Sequence, residues 1–128
     1  MKISVSKLEE SLAKPEVRPY FDGNVRTHML VGAEQSAELE VLAVYFSAGA
    51  RTRPHIHAKD QVLHFVQGQG IVATETTKQV YSAGDVVTVP GGVWHWHGAT
   101  REQAMCHISI RQPGPSDWDV DVKNWAEY

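Results

Sequence analysis

From Phe21 onward, apolar and polar residues alternate in short runs and do not recur at helical spacing. Val25–Val31 and residues 39–46 are rich in β-branched and aromatic side chains and predict two strands, with residues 32–37 turning between them. Further strands are expected at residues 61–67, closed by Gly68 and Gly70, and at Val86–Val89, 93–98 and Met105–Arg111. Residues 71–75 and 79–82 read as a hairpin. Gly49, Gly84 and Pro90-Gly91-Gly92 mark turns between these runs. Many short strands, close turn signals and no long amphipathic helix predict an all-β sandwich or barrel. Residues 1–20 are polar and broken by Pro15 and Pro19, and read as an N-terminal arm with a short helix at 6–14. The barrel is bounded at 21–112. Pro113-Gly114-Pro115 then opens a tail, 113–128, in which Trp118 and Trp125 stand among acids. Two tryptophans carry too much apolar surface to be left in water, so the tail is expected to pack on the barrel or on a partner subunit.

Composition narrows the function more than the fold. A chain of 128 residues predicts one domain with a core of its own. A net charge of −3 from interspersed charges argues against nucleic acid or an anionic membrane as a partner. The first twenty residues carry charges throughout and lack the apolar region of a signal peptide, and no apolar run approaches the ~20 residues that span a bilayer. Cys106 is the single cysteine, so no internal disulfide forms, which fits a reducing cytoplasm. The one oddity is histidine: of seven, six fall between positions 55 and 107.

Four of these positions carry the candidate chemistry. Residues two apart on a strand face the same way, so His55 and His57 project together. Gln61 begins the next strand, and His95 comes from a separate strand much later in the chain. Three imidazoles and one amide oxygen, converging from different strands, make a site for a divalent ion with open coordination positions. Mn²⁺, Fe²⁺, Ni²⁺ and Zn²⁺ all accept these donors, and availability decides among them. A water in place of Gln61 is the alternative for the fourth ligand. By strand parity His97 faces inward with His95, and His107 shares a face with Ser109 and Arg111. His97 and His107 are therefore candidate general bases, since imidazole titrates near neutrality. Structural roles, bonded to backbone, are the alternative for both. His64 should point outward, and Cys106 opposite to His107. The inward face of residues 39–46 is either Leu42, Val44 and Phe46 or Val41, Ala43 and Tyr45.

The spacing is Gly49, five residues, His55-x-His57, three residues, Gln61, six residues, Gly68; later it is Gly84, five residues, Pro90-x-Gly92, two residues, His95. These two segments resemble the two motifs of the cupins, and the strand pattern from Val25 to Arg111 fits the cupin barrel, a double-stranded β-helix or jelly roll. The chain looks similar to small single-domain cupins, among them the cupin domain of carboxymuconolactone-decarboxylase-type proteins and the manganese-dependent bacterial hydroxynitrile lyases. Residues 49–52, Gln61, 95–99 and 104–107 carry that likeness. It implies Mn²⁺ held by His55, His57, Gln61 and His95, an active site lined by His97 and His107, and a homodimer. Two departures stand out: the usual glutamate ligand is Gln61, and a frequent asparagine is Ala99. Arg53-Pro54 and Lys59-Asp60 also depart from the subgroup at the mouth of the site, where substrate is selected.

Gln61 changes the chemistry. An all-neutral ligand set leaves the ion its full charge, where a carboxylate would remove several kcal/mol of it at an effective dielectric near ~20. Such a site disfavours a trivalent state and favours Lewis-acid work on a carbonyl or oxyanion. The expected activity is a lyase, isomerase or decarboxylase-like reaction on a small oxygenated molecule. A quercetinase-like dioxygenase and a ligand-binding module without turnover are the alternatives.

Overall fold

The computed structural model describes residues 2–128. Strands form at Lys14–Pro15 (β1), Phe21–Asp22 (β2), Val25–Val31 (β3), Glu40–Phe46 (β4), Arg51–Thr52 (β5), Ile56–His57 (β6), Gln61–Ala73 (β7), Lys78–Ser82 (β8), Val86–Val89 (β9), Trp96–Ala99 (β10), Met105–Arg111 (β11) and Ser116–Asp117 (β12). They are ordered β1-β3-β4-β11-β7-β10-β5-β2, with β8 and β9 also paired to β7, and β12 paired to β6. The result is a curled all-β half-barrel. The site lies in its mouth.

The register of β4 and β11 decides which face looks inward. Val44 pairs with His107 and Leu42 with Ser109, and directly opposed residues share a face. Val44 and Phe46 join Leu63, Phe65, Val72, Val89 and Met105 in the core, with Leu42 packed against it. Phe46, Leu63 and Phe65 are almost wholly buried, each worth roughly 1.5–3 kcal/mol relative to exposure. Ala43, Tyr45 and Cys106 form a second cluster behind the sheet, backed by Leu30 and Val66. His28 pairs with Ala43, and His64 with Ile108, so both face away from the site. Burial pushes the Cys106 thiol up to about 11, consistent with an inert core residue.

Three expectations need correction. The break at Gly68 and Gly70 is no break: β7 runs through both, pairing with β11 and β9 in its first half and with β10 and β8 in its second. Gly68 sits at φ +70°, opposite Met105, where the strand passes from one side of the barrel to the other, and a register shift between Cys106 and His107 falls close by, at Val66. The predicted helix at 6–14 shrinks to a 3-10 turn at Glu10–Leu12, because Pro15 follows at once and β1 draws the chain into the sheet beside β3. The strand expected at 93–98 starts later, at Trp96, with His95 held by an isolated bridge to His55.

The tail lies on its own barrel. Ile71, Ala73, Trp94 and Trp96 form an apolar patch that Val120, Trp125 and Tyr128 cover. Arg51, buried at 6 % exposure, lies over the rings of Trp96, Trp125 and Tyr128 at 4.2–4.9 Å, so cation–π contact takes the place of a carboxylate partner.

Candidate metal centre

β6 and the bridge at His55 place His55 and His57 on one wall, while the start of β7 brings Gln61 and the approach to β10 brings His95. The ring centroids of His55 and His57 are 4.8 Å apart, those of His55 and His95 4.3 Å, and those of His57 and His95 5.4 Å. One ring nitrogen each from His55, His95 and His97 lies within 4.8 Å of the others, a grouping that could hold a metal ion. All these side chains are at most 6 % exposed. Of the positions read as ligands, this nitrogen grouping takes in His55 and His95, and it adds His97, read only as a base; His57 stands outside it, its ring beside that of His55, and Gln61 lies against His95.

Hydrogen bonds at the back of the rings settle which nitrogens face inward. Nδ1 of His55 donates to the Arg53 carbonyl at 2.8 Å, and Nδ1 of His95 to the Val93 carbonyl at 2.9 Å. Nδ1 of His57 bonds the Ser116 hydroxyl at 2.6 Å. Burial, and the neighbouring histidines, hold His55 and His97 well below the usual imidazole range, and His57 falls to about 4 through burial, His95 and Arg111. Burial also depresses His95. The imidazoles are neutral at pH 7, so each ring has one proton and one lone pair.

The fit to a cation rests on buried ring nitrogens without partners. Neutral His95 has spent its proton on Val93, so its Nε2 lone pair faces the Gln61 amide at 3.2 Å, while the other end of that amide bonds the Ser109 hydroxyl at 2.8 Å. The buried Nε2 atoms of His57 and His97 have no protein partner, and ring nitrogens of His55, His95 and His97 lie within 4.8 Å of one another, a donor set that suits a divalent ion.

Behind the cluster, His107 Nε2 and His97 Nδ1 share a hydrogen bond of 2.9 Å, which leaves His97 Nε2 and His107 Nδ1 without protein partners. Burial holds His107 down to about 4. Phe46 packs edge-on against both rings, and Thr52 Oγ1 accepts from the His97 backbone N–H. The cluster opens on a cavity of about 80 Å³, walled by Phe21, Leu42, Val44 and Trp118 on its apolar side and by Arg18, Glu40 and Arg111 on its polar side.

Sequence reasoning missed Ser116 and Trp118 as part of this site. Trp118 stacks on His55 at 4.0 Å and on Tyr20 at 4.3 Å, closing one side of the cavity. A tryptophan in an acidic tail signals burial, but only the β12–β6 pairing says against what.

Comparison with known proteins agrees with this geometry. The cupin-2 family model, described as "Cupin domain", matches residues 42–111, more than half of the chain. The chain belongs to the cupin family. This cupin is 36 % identical over 111 residues to an (R)-mandelonitrile lyase from Granulicella tundricola, covering 85 % of this chain and 81 % of that one. An acireductone dioxygenase from Parasynechococcus marenigrum is 36 % identical over 58 residues, and the chain spans only 31 % of its length. Among solved structures, a cupin-like protein from Thermotoga maritima superposes with a TM-score of 0.80 at 32 % identity over 88 % of both chains. KdgF from a Halomonas species gives 0.65 at 25 % identity, over 80 % of this chain and 86 % of that one. Among the described residues, no helix is long and apolar enough to cross a membrane.

Proposed function

We propose that this cupin is a metal-dependent lyase acting on a small oxygenated substrate, with His55, His57, Gln61 and His95 holding one divalent ion, Mn²⁺ before Fe²⁺, Ni²⁺ or Zn²⁺. The observation that carries the reading is the gathering of ring nitrogens of His55, His95 and His97 within 4.8 Å of one another, with the buried Nε2 of His57 left without a protein partner. A bound ion supplies Lewis-acid polarisation of a substrate oxygen. The chain's own residues do the rest. The apolar wall of Phe21, Leu42, Val44 and Trp118 excludes water and orients the substrate. Nε2 of His97 takes the proton of a substrate hydroxyl, and the proton on its Nδ1 passes to His107 Nε2 along their hydrogen bond. As that O–H bond breaks, the oxygen's electron pair closes a carbonyl, and the carbon's bond to the leaving group breaks with its pair going to that group. The returning proton retraces the path to protonate the leaving anion. The relative named mandelonitrile lyase, similar over most of both chains, favours this reaction class.

The acireductone dioxygenase relatives favour a dioxygenase as the second reading, which the neutral ligand set opposes. A cytoplasmic homodimer belongs to the same proposal. Trp118 and Trp125 pack on the chain's own barrel, so a dimer face is better sought where β8 and β9 expose Val80 and Val86.

The test uses protein purified without chelator, assayed for metal by elemental analysis and then with mandelonitrile. Aldehyde release without oxygen uptake supports the lyase; oxygen uptake supports the dioxygenase. His107→Ala should abolish turnover with metal content unchanged. Loss of the metal in that variant would overturn the role given to His107.

A further inference from the structure

We propose that the substrate is a small carboxylic acid whose carboxylate is held by Arg111, next to the oxygen-bearing carbon that faces the metal cluster. This rests on the lyase reading above and narrows its substrate class to 2-hydroxy acids that carry the leaving group on the hydroxyl-bearing carbon, with the 2-oxo acid as the carbonyl product.

Arg111 ends β11 on the face it shares with His107 and Ser109, and its side chain lines the cavity. In register it stands beside Gln61 on one side and Glu40 on the other. That places a guanidinium one strand away from a candidate ligand. Its ion pair with Glu40 is long, 3.4 Å, against about 2.7–2.9 Å for a charge-assisted hydrogen bond. The pair therefore orients Arg111 without using its donors. The other cation of the wall is committed: Arg18 Nε and Nη2 each lie 2.8 Å from an oxygen of Glu16. Among the described residues, Arg111 is the cavity's one guanidinium with an open fork, and guanidinium forks bind carboxylates bidentately.

Charge points the same way. Arg18 is offset by Glu16 and Arg111 by Glu40, while imidazole and amide ligands leave a divalent ion its full +2. The cavity as a whole favours an anion. Leu42, Val44 and Trp118 give the acid's substituent an apolar surface.

The experiment is calorimetric titration of 2-oxobutyrate and of its neutral amide into Mn²⁺-loaded protein. The acid should bind at least about tenfold tighter than the amide, as expected for hydrogen bonds to a charged group. Arg111→Gln should reduce that preference to about twofold or less with metal content unchanged, and Arg111→Lys should retain part of it. Glu40→Gln, which removes the competing carboxylate, should tighten acid binding severalfold. Equal binding of acid and amide by the unaltered protein, or an undiminished preference in Arg111→Gln or Arg111→Lys, overturns the proposal. If Mn²⁺ does not bind, the lyase reading fails first; the same acid-to-amide comparison on metal-free protein then still judges Arg111.

Discussion

The hydroxyl of Ser116 lies 2.6 Å from Nδ1 of His57, across 59 positions of sequence. This contact ties the tail to the metal cluster. With the hydroxyl accepting from Nδ1–H, the proton stays at the back of the ring and the buried Nε2 keeps its lone pair for an ion. Ser116→Ala should weaken divalent metal binding by about 10-fold or more, the usual effect of removing such a partner. Ser116→Thr, which keeps the hydroxyl, should restore most of it. Competition against a chelator reads both, and an unchanged affinity in Ser116→Ala would show that the tail only covers the barrel.

Gln61 offers the opposite experiment. Gln61→Glu puts a formal negative charge where the neutral amide now faces His95, and Ser109 can turn its hydroxyl to donate to the new carboxylate. Divalent affinity should rise by about tenfold or more, and the midpoint potential of a bound Mn or Fe should fall as the trivalent state gains stabilisation. Lewis-acid turnover should drop. If affinity moves by less than about twofold, a water and not Gln61 is the fourth donor.

Legibility in the sequence followed local physics. The strands at Val25–Val31, Val86–Val89 and Met105–Arg111 stand where β-branched runs placed them, because each is a short segment bounded by turns. The half-barrel and the meeting of His55 with His95 followed from motif spacing, whereas the place of His97 rather than His57 in the same nitrogen grouping did not. Inward placement of His97 and His107 followed from strand parity, as did the outward turn of His64 and Cys106. What could not be read was long-range. Nothing local says that Ser116 will meet His57, that Trp118 will stack on His55, or that Arg51 will hold the tail's aromatic rings. Gly68 misled for a different reason. A glycine at positive φ can end a strand in a turn or bend one that continues, and only the partner strands, β11 before Gly68 and β10 after it, distinguish the two.

That bend makes Gly68 a sensitive point. A Cβ there would overlap the Ala104 carbonyl oxygen, at a φ of +70° that other residues adopt at a cost. Gly68→Ala should destabilise the fold by roughly 2–4 kcal/mol, the sum of left-handed strain and overpacking. The denaturant midpoint measures it. A loss under about 0.5 kcal/mol would mean that β7 bends elsewhere.

Acid should unfold the metal-free protein early. His57 and His107 both fall to about 4 when folded, from an ordinary value of 6.5, chiefly through burial. Their folded values are depressed, so between pH 6.5 and 4 the unfolded chain binds protons that the folded chain refuses. Stability therefore rises with pH across that window and is lost as pH falls through it, at up to roughly 1.4 kcal/mol per unit for each group. Above pH 7 both states hold neutral rings, and these two residues add no slope. Denaturant midpoints of chelated protein should drop between pH 6.5 and 4, and His107→Asn should flatten the curve by about its one-group share. A divalent ion should steepen the fall, since it binds the neutral rings and is expelled by the same protons. A flat profile over that interval would mean that the imidazoles stay hydrated, and the lone-pair argument for the cation would go with it.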